Sequence, residues 1–63
     1  MMEDVYTVGN EVEFIYNDKL RDVVIKEVKP NTIIGWDRNA DLPTGGYRQF
    51  RYSGIECLGL ISR

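Results

Sequence analysis

The chain has 63 residues, with eight basic and ten acidic side chains, one cysteine and no histidine, for a net charge of −2. At this length one domain is the only sensible count, and a core leaves no room for a deep catalytic cleft. The sequence pI of about 4.9 argues against strong non-specific nucleic-acid binding, which needs many Lys and Arg contacts to displace counterions, but it leaves a local basic patch open.

Residues 1–10 carry Val5, Tyr6 and Val8 ahead of Gly9-Asn10, so they read as a short edge strand or an ordered arm ended by a turn. A barrel is expected over 11–62. Residues 11–16 alternate, with Val12, Phe14 and Tyr16 on one face, the pattern of a half-buried strand. Asn17-Asp18-Lys19 then supplies a hairpin turn, because Asn and Asp tolerate positive φ. Residues 20–29 form the longest β-rich run. Its centre is apolar on both faces, Val23 and Ile25 on one and Val24 and Val28 with Lys26 on the other. A strongly bent strand or a bulge near Val23–Ile25 explains that. Pro30-Asn31 ends the run, since proline cannot donate to a ladder.

Thr32–Asp37 predicts a third strand, with Ile34 and Trp36 on one face and a bend or close approach at Gly35. Trp36 reads either as a packing residue of core or rim, or as an exposed stacking platform. Residues 38–46 are rich in turn formers and read as a long loop. Residues 47–52 predict a fourth strand with Phe50 inward beside Arg48 and Tyr52, and with Tyr47, Gln49 and Arg51 outward. Ser53-Gly54 turns a corner into a fifth strand over 57–61. With no amphipathic helix in view, the expected fold is all-β: a five-stranded, partly open small barrel of the SH3-like or Sm-like kind.

The lone cysteine cannot form an internal disulfide, which points to a reducing cytoplasm. No apolar run reaches membrane-spanning length and no signal peptide is visible, so no membrane role is expected. The Met1-Met2 start suits a complete small protein. Catalysis is not expected, because histidine is absent and Cys57, between Ile55 and Leu58, lacks an apparent base and reads as a small buried residue. Asp37 and Asp41 read as solvating or capping acids. No metal-ligand spacing and no phosphate loop occur, and Gly45-Gly46 reads as a flexible turn, so neither metal nor cofactor is expected.

Val12-x-Phe14-x-Tyr16, Lys26-Glu27-Val28-Lys29-Pro30, Ile33-Ile34-Gly35-Trp36-Asp37 and Arg48-Gln49-Phe50-Arg51-x-x-x-Ile55 together resemble the WYL domain over residues 12–61. The resemblance implies a bacterial Sm-like or SH3-like barrel that senses nucleic acids or small ligands in transcriptional regulation, CRISPR or phage defence. On this resemblance Lys26 takes the place of an arginine before the proline. Arg48 and Arg51 match the Arg-x-Phe-Arg pattern, Phe50 the buried aromatic and Ile55 the closing corner. The chain departs from the family in three ways. Asn31-Thr32-Ile33 stands where the Trp-Tyr-Leu triplet would fall, Gly54 stands for an arginine, and no helix-turn-helix precedes the barrel. Val8-Gly9-Asn10-Glu11-Val12 also resembles the openings of SH3-like barrels of the translation and transcription machinery.

The chemistry that remains is a binding surface. Arg38, Tyr47, Arg48 and Arg51 lie around the third and fourth strands with Trp36 nearby, and the resemblance adds Lys26. Guanidinium forks suit phosphate or carboxylate, and aromatic rings offer stacking faces. The expected function is a non-enzymatic, WYL-like regulatory or accessory module for single-stranded nucleic acid or an anionic small ligand. The alternative is a protein-interaction module, such as a phage or mobile-element accessory protein, acting through a strand edge or as a homo-oligomer. The competing structural explanation of the arginines is surface pairing with Glu13, Asp37 or Glu27.

Overall fold

The structure, a computed structural model, describes residues 5–40 and 46–62. Five strands run in chain order: β1 (Glu11–Tyr16), β2 (Lys19–Val28), β3 (Thr32–Asp37), β4 (Gly46–Arg51) and β5 (Glu56–Ser62). Among the described residues the one helical element is a 3₁₀ turn at Tyr52–Gly54. All pairings are antiparallel, and the strands lie side by side in the order β4-β3-β2-β1-β5. The sheet therefore curls without closing, with β4 and β5 as its free edges. This is the partly open SH3-like barrel that the alternating segments predict.

The local reasons are visible strand by strand. β1 and β2 are joined by a two-residue turn in which Asn17 and Asp18 have φ of 51° and 62°. Positive φ at both central positions matches the twist of the flanking strands, and Asn and Asp accept it at little cost. β2 pairs with β1 through its first half, Lys19 to Val24, and with β3 through its second, Val23 to Val28. One strand can serve both because it bends at a bulge. Ile25 faces Gly35 and Glu27 faces Ile34, which leaves Lys26 as the extra residue. The bulge predicted near Val23–Ile25 thus falls one residue later.

The core is Val12, Phe14, Val23, Ile25, Ile33 and Phe50, each almost wholly shielded from water. Phe50 reaches it from β4 and meets Phe14 and Tyr16 edge-on, with both ring centroids 5.1 Å away. Edge-to-face contact sets the positive rim of one ring against the negative face of the next. The Tyr16 hydroxyl stays at the rim and accepts the Arg51 backbone N–H at 3.3 Å. The 3₁₀ turn begins at Tyr52, whose hydroxyl donates to the Lys29 carbonyl at 2.8 Å.

Residues 5–10 form an ordered arm of turns rather than an edge strand. Gly9, at φ 94°, allows the chain to reverse. Its N–H then donates to the Ile25 carbonyl at 2.8 Å, and the Ile25 N–H donates to the Asn10 carbonyl at 2.9 Å. The arm so continues the pairing of β2 beyond the start of β1. Its other anchor is Tyr6, stacked at a tilt on Tyr52 with centroids 4.7 Å apart. Residues 1–4 of the expected arm and 41–45 of the expected loop lie outside the described residues.

Ile34 and Trp36 share a face as expected, and the opposite, fully interior face of β3 is Ile33, Gly35 and Asp37. One side-chain placement corrects the sequence reading. Cys57 is exposed rather than buried. The reason is backbone geometry. β5 slips against β1 between Glu13↔Gly59 and Ile15↔Glu56, and Cys57 takes a φ of 55° in that irregularity. Alternation fails there and the thiol points away from the core.

Candidate binding surface

The ladders decide which charged and aromatic groups share a surface. Directly paired residues of neighbouring strands project from the same side of a sheet. On the outer side, Glu11 of β1, Val24 of β2, Trp36 of β3 and Tyr47 of β4 form one continuous row. Ile34↔Gln49 and Thr32↔Arg51 follow along β3 and β4 on that side. Trp36 is half-buried and supports Tyr47 edge-on, with ring centroids 4.8 Å apart and planes at 79°. Tyr47 is 59% exposed. An aromatic ring that size, held upright and largely wet, is an unused stacking partner.

The six sequence candidates separate accordingly. Trp36, Tyr47 and Arg51 lie together on the outer face. Arg51 is exposed, and its guanidinium has no ion-pair partner among the described residues. It stands four residues from Tyr47, roughly 13 Å along an extended strand. Arg38, just beyond β3, is anchored by its N–H to the Asp22 carbonyl at 2.8 Å. Its Nε approaches Glu11 Oε2 at 3.7 Å, so its charge is already partly met. Lys26 is exposed at the β2 bulge. Arg48 is on the other side, the side of Phe50, with Nε 3.8 Å from Asp37 Oδ2. Arg48 thus meets one of the acids that the pairing explanation names, Asp37, while Arg38 meets Glu11 instead and Arg51 has no acid neighbour among the described residues.

The same outer face carries acids at its far end. Asp22 lies directly across from Glu13, one row from Glu11. Its Oδ1 is buried without a hydrogen-bond partner among the described residues. Its pKa is pushed up to about 6, first by desolvation, then by a hydrogen bond to Glu11 and repulsion from Glu11 and Glu13, with Arg38 pulling the other way. A proton on Asp22 lets it donate to Glu11 instead of repelling it. Carboxylates thus mark the β1–β2 end of the face, the aromatic pair spans β3 and β4, and the exposed Glu27, opposite Ile34, stands in the row between that pair and Arg51.

Arg21 is the side chain the sequence reading did not single out. It lies on the inner side of β2 with Val23 and Ile25, and its side chain is only 10% exposed. Nη1 donates to Asp37 Oδ2 at 3.1 Å. Asp37 is fully buried, and its Oδ1 accepts the Asn39 N–H at 2.9 Å. Strict alternation from Val23 was the available signal, because it puts residue 21 indoors. A buried arginine then demands a buried acid.

Among the described residues no helix is long and apolar enough to cross a membrane. The fold and this face define a small all-β barrel with an exposed aromatic–arginine surface. Comparison with known protein families, curated proteins and solved structures found nothing that matches this chain.

Proposed function

We propose that the chain is a cytoplasmic, non-enzymatic binding module, WYL-like in its sequence pattern, that recognises single-stranded nucleic acid or a related anionic ligand on the outer face of β3 and β4. One observation carries the reading. Tyr47, 59% exposed, is held edge-on by Trp36 on the same face as the guanidinium of Arg51, which has no ion-pair partner among the described residues. A base stacks on Tyr47 while a phosphate meets Arg51, one nucleotide or two further along. Base–aromatic stacking contributes about 1–3 kcal/mol per base. Glu11, Glu13 and Asp22 repel a polyanion from the other end, which confines the contact to a short segment and keeps affinity modest.

The test is fluorescence anisotropy with short single-stranded DNA and RNA oligonucleotides. Tyr47→Ala and Arg51→Ala should each weaken binding by at least about fivefold, the lower end of the stacking energy. Binding should also fall with salt with a log–log slope near −1, as expected for one or two neutralised phosphates on a single strand. No binding at low salt, or binding indifferent to both substitutions, defeats the proposal.

One feature favours the protein-interaction alternative. From Cys57 to Ser62 the edge strand β5 carries no charge, and Leu60 and Ile61 are 37% and 48% exposed. Edge strands lacking charge invite pairing with another chain. Concentration-dependent sedimentation that salt leaves unchanged and Ile61→Lys abolishes would select this reading.

A further inference from the structure

The inner side of the sheet holds a second cluster, separate from the Trp36–Tyr47 face. Arg21, Asp37 and Arg48 converge there from β2, β3 and β4. Asp37 is fully buried, and both its oxygens are engaged, Oδ2 by Arg21 Nη1 at 3.1 Å and Oδ1 by the Asn39 N–H at 2.9 Å. Arg48 Nε stands 3.8 Å from the same Oδ2, and the Arg48 side chain is 44% exposed. Two guanidinium groups on one carboxylate leave a local charge of +1 within a chain of net charge −2.

The hydrogen bonding is also incomplete. An arginine and a carboxylate that serve only structure commonly meet through two parallel N–H···O bonds. Arg21 gives Asp37 one arm. Its Nε is buried and has no acceptor among the described residues, on a side chain nine-tenths shielded from water. A buried donor with its hydration removed and nothing in return is costly, and structures rarely leave one without a reason. Positive charge in excess, an unmet buried donor and a half-exposed guanidinium beside them are the parts of an oxyanion site.

We propose that this end of the barrel binds a small oxyanion, a carboxylate or a phosphate group, with Arg48 as the exposed arm and Arg21 Nε as the buried donor. Asp37 holds Arg21 in place and lowers the site's charge enough that a single anion neutralises it. The proposal does not depend on the outer face.

The experiment uses the full chain labelled with ¹⁵N-arginine and follows the Nε–Hε resonances. Inorganic phosphate and acetate are titrated in parallel, against sodium chloride at matched ionic strength. The expected result is a saturable shift of the Arg21 Hε signal and a rise in Tm that follows mass action. Whichever anion half-saturates first identifies phosphate or carboxylate as the preferred group. Arg48→Gln should raise the half-saturation concentration at least tenfold. Arg48→Lys, which keeps the charge and loses the fork, should fall between the two. Tyr47→Ala should leave the shift unchanged, which separates this site from the outer face. The proposal is overturned if phosphate and acetate move the Arg21 signal no more than chloride does. It is equally overturned if folded Arg48→Gln titrates like the wild type.

Discussion

Gly35→Ala is the smallest substitution that tests how closely β2 lies over β3. Gly35 faces Ile25 on one neighbour and Arg48 on the other, immediately beside the bulge at Lys26. A methyl group added there would lie 2.3 Å from Val23 Cγ1, 2.6 Å from the Val24 carbonyl oxygen and 3.2 Å from the Val24 carbonyl carbon. Val23 is itself fully buried and has nowhere to swing. The oxygen belongs to the neighbouring backbone, so relief requires the strands to part by about half an ångström or more. Overpacking of this kind costs about 1–3 kcal/mol, and a backbone clash places Gly35 at the upper end. The smaller backbone entropy of alanine in the unfolded chain returns about 0.5–1 kcal/mol. The net loss is then about 2 kcal/mol. A domain of this size has a stability of only roughly 3–9 kcal/mol. The expected drop in Tm is about 8–16 °C. Urea unfolding followed by far-ultraviolet circular dichroism measures it directly. Gly59→Ala is the matched control, since an added Cβ there meets nothing within 4 Å. It should stay within about 0.5 kcal/mol of the wild type. The reasoning fails if Gly35→Ala is equally silent at an unchanged m-value, or if the control is the costlier of the two.

Two further substitutions probe the charged groups. Asp22 has a native pKa of about 6, above its unfolded value near 3.8. Between those two pH values the native state holds a proton that the unfolded chain has lost. The resulting stabilisation is complete below the unfolded pKa and is lost as pH rises through the native one. Asp22→Asn should therefore be more stable than the wild type at pH 7.5, by about 1 kcal/mol after allowance for solvent screening. The gain should vanish near pH 4, and a gain that persists there contradicts the assignment. At the inner cluster, Arg21→Ala takes from buried Asp37 its hydrogen-bonded guanidinium, leaving only half-exposed Arg48 at 3.8 Å, and should cost about 3 kcal/mol in chemical denaturation. Arg21→Met combined with Asp37→Leu should recover most of that loss. A double variant as unstable as Arg21→Ala would mean that the pair stabilises by more than mutual neutralisation.

The sequence makes the strands legible because their signals are local. Alternation locates β1 and β3 to the residue, Asn17-Asp18 announces a hairpin with positive φ, and Pro30 marks the end of β2. The candidate surface is legible only in part. Trp36, Tyr47 and Arg51 come together because β3 and β4 pair without a bulge, so parity along each strand suffices. Parity also sends Arg48 to the Phe50 side. What the sequence hides depends on register between distant segments. The Arg21–Asp37 pair joins residues 16 apart in the chain. The Asp22 and Glu11 encounter depends on how β1 lies against β2. Cys57 misleads because its neighbours Ile55 and Leu58 look like a continuous core strand, while an irregularity in the β1–β5 ladder turns the thiol outward.

The return of β5 to β1 has a kinetic consequence. Three of the four ladders join consecutive strands through short connections or a single loop, and each can zip from its own turn. The fourth must bring Val12 to Leu60 across almost the whole polypeptide, and the entropy of closing that span precedes any reward from the contacts. Assembly should then proceed as a fast-forming meander awaiting a slow seam. Until that seam seals, β1 presents an unguarded flank to every neighbouring molecule.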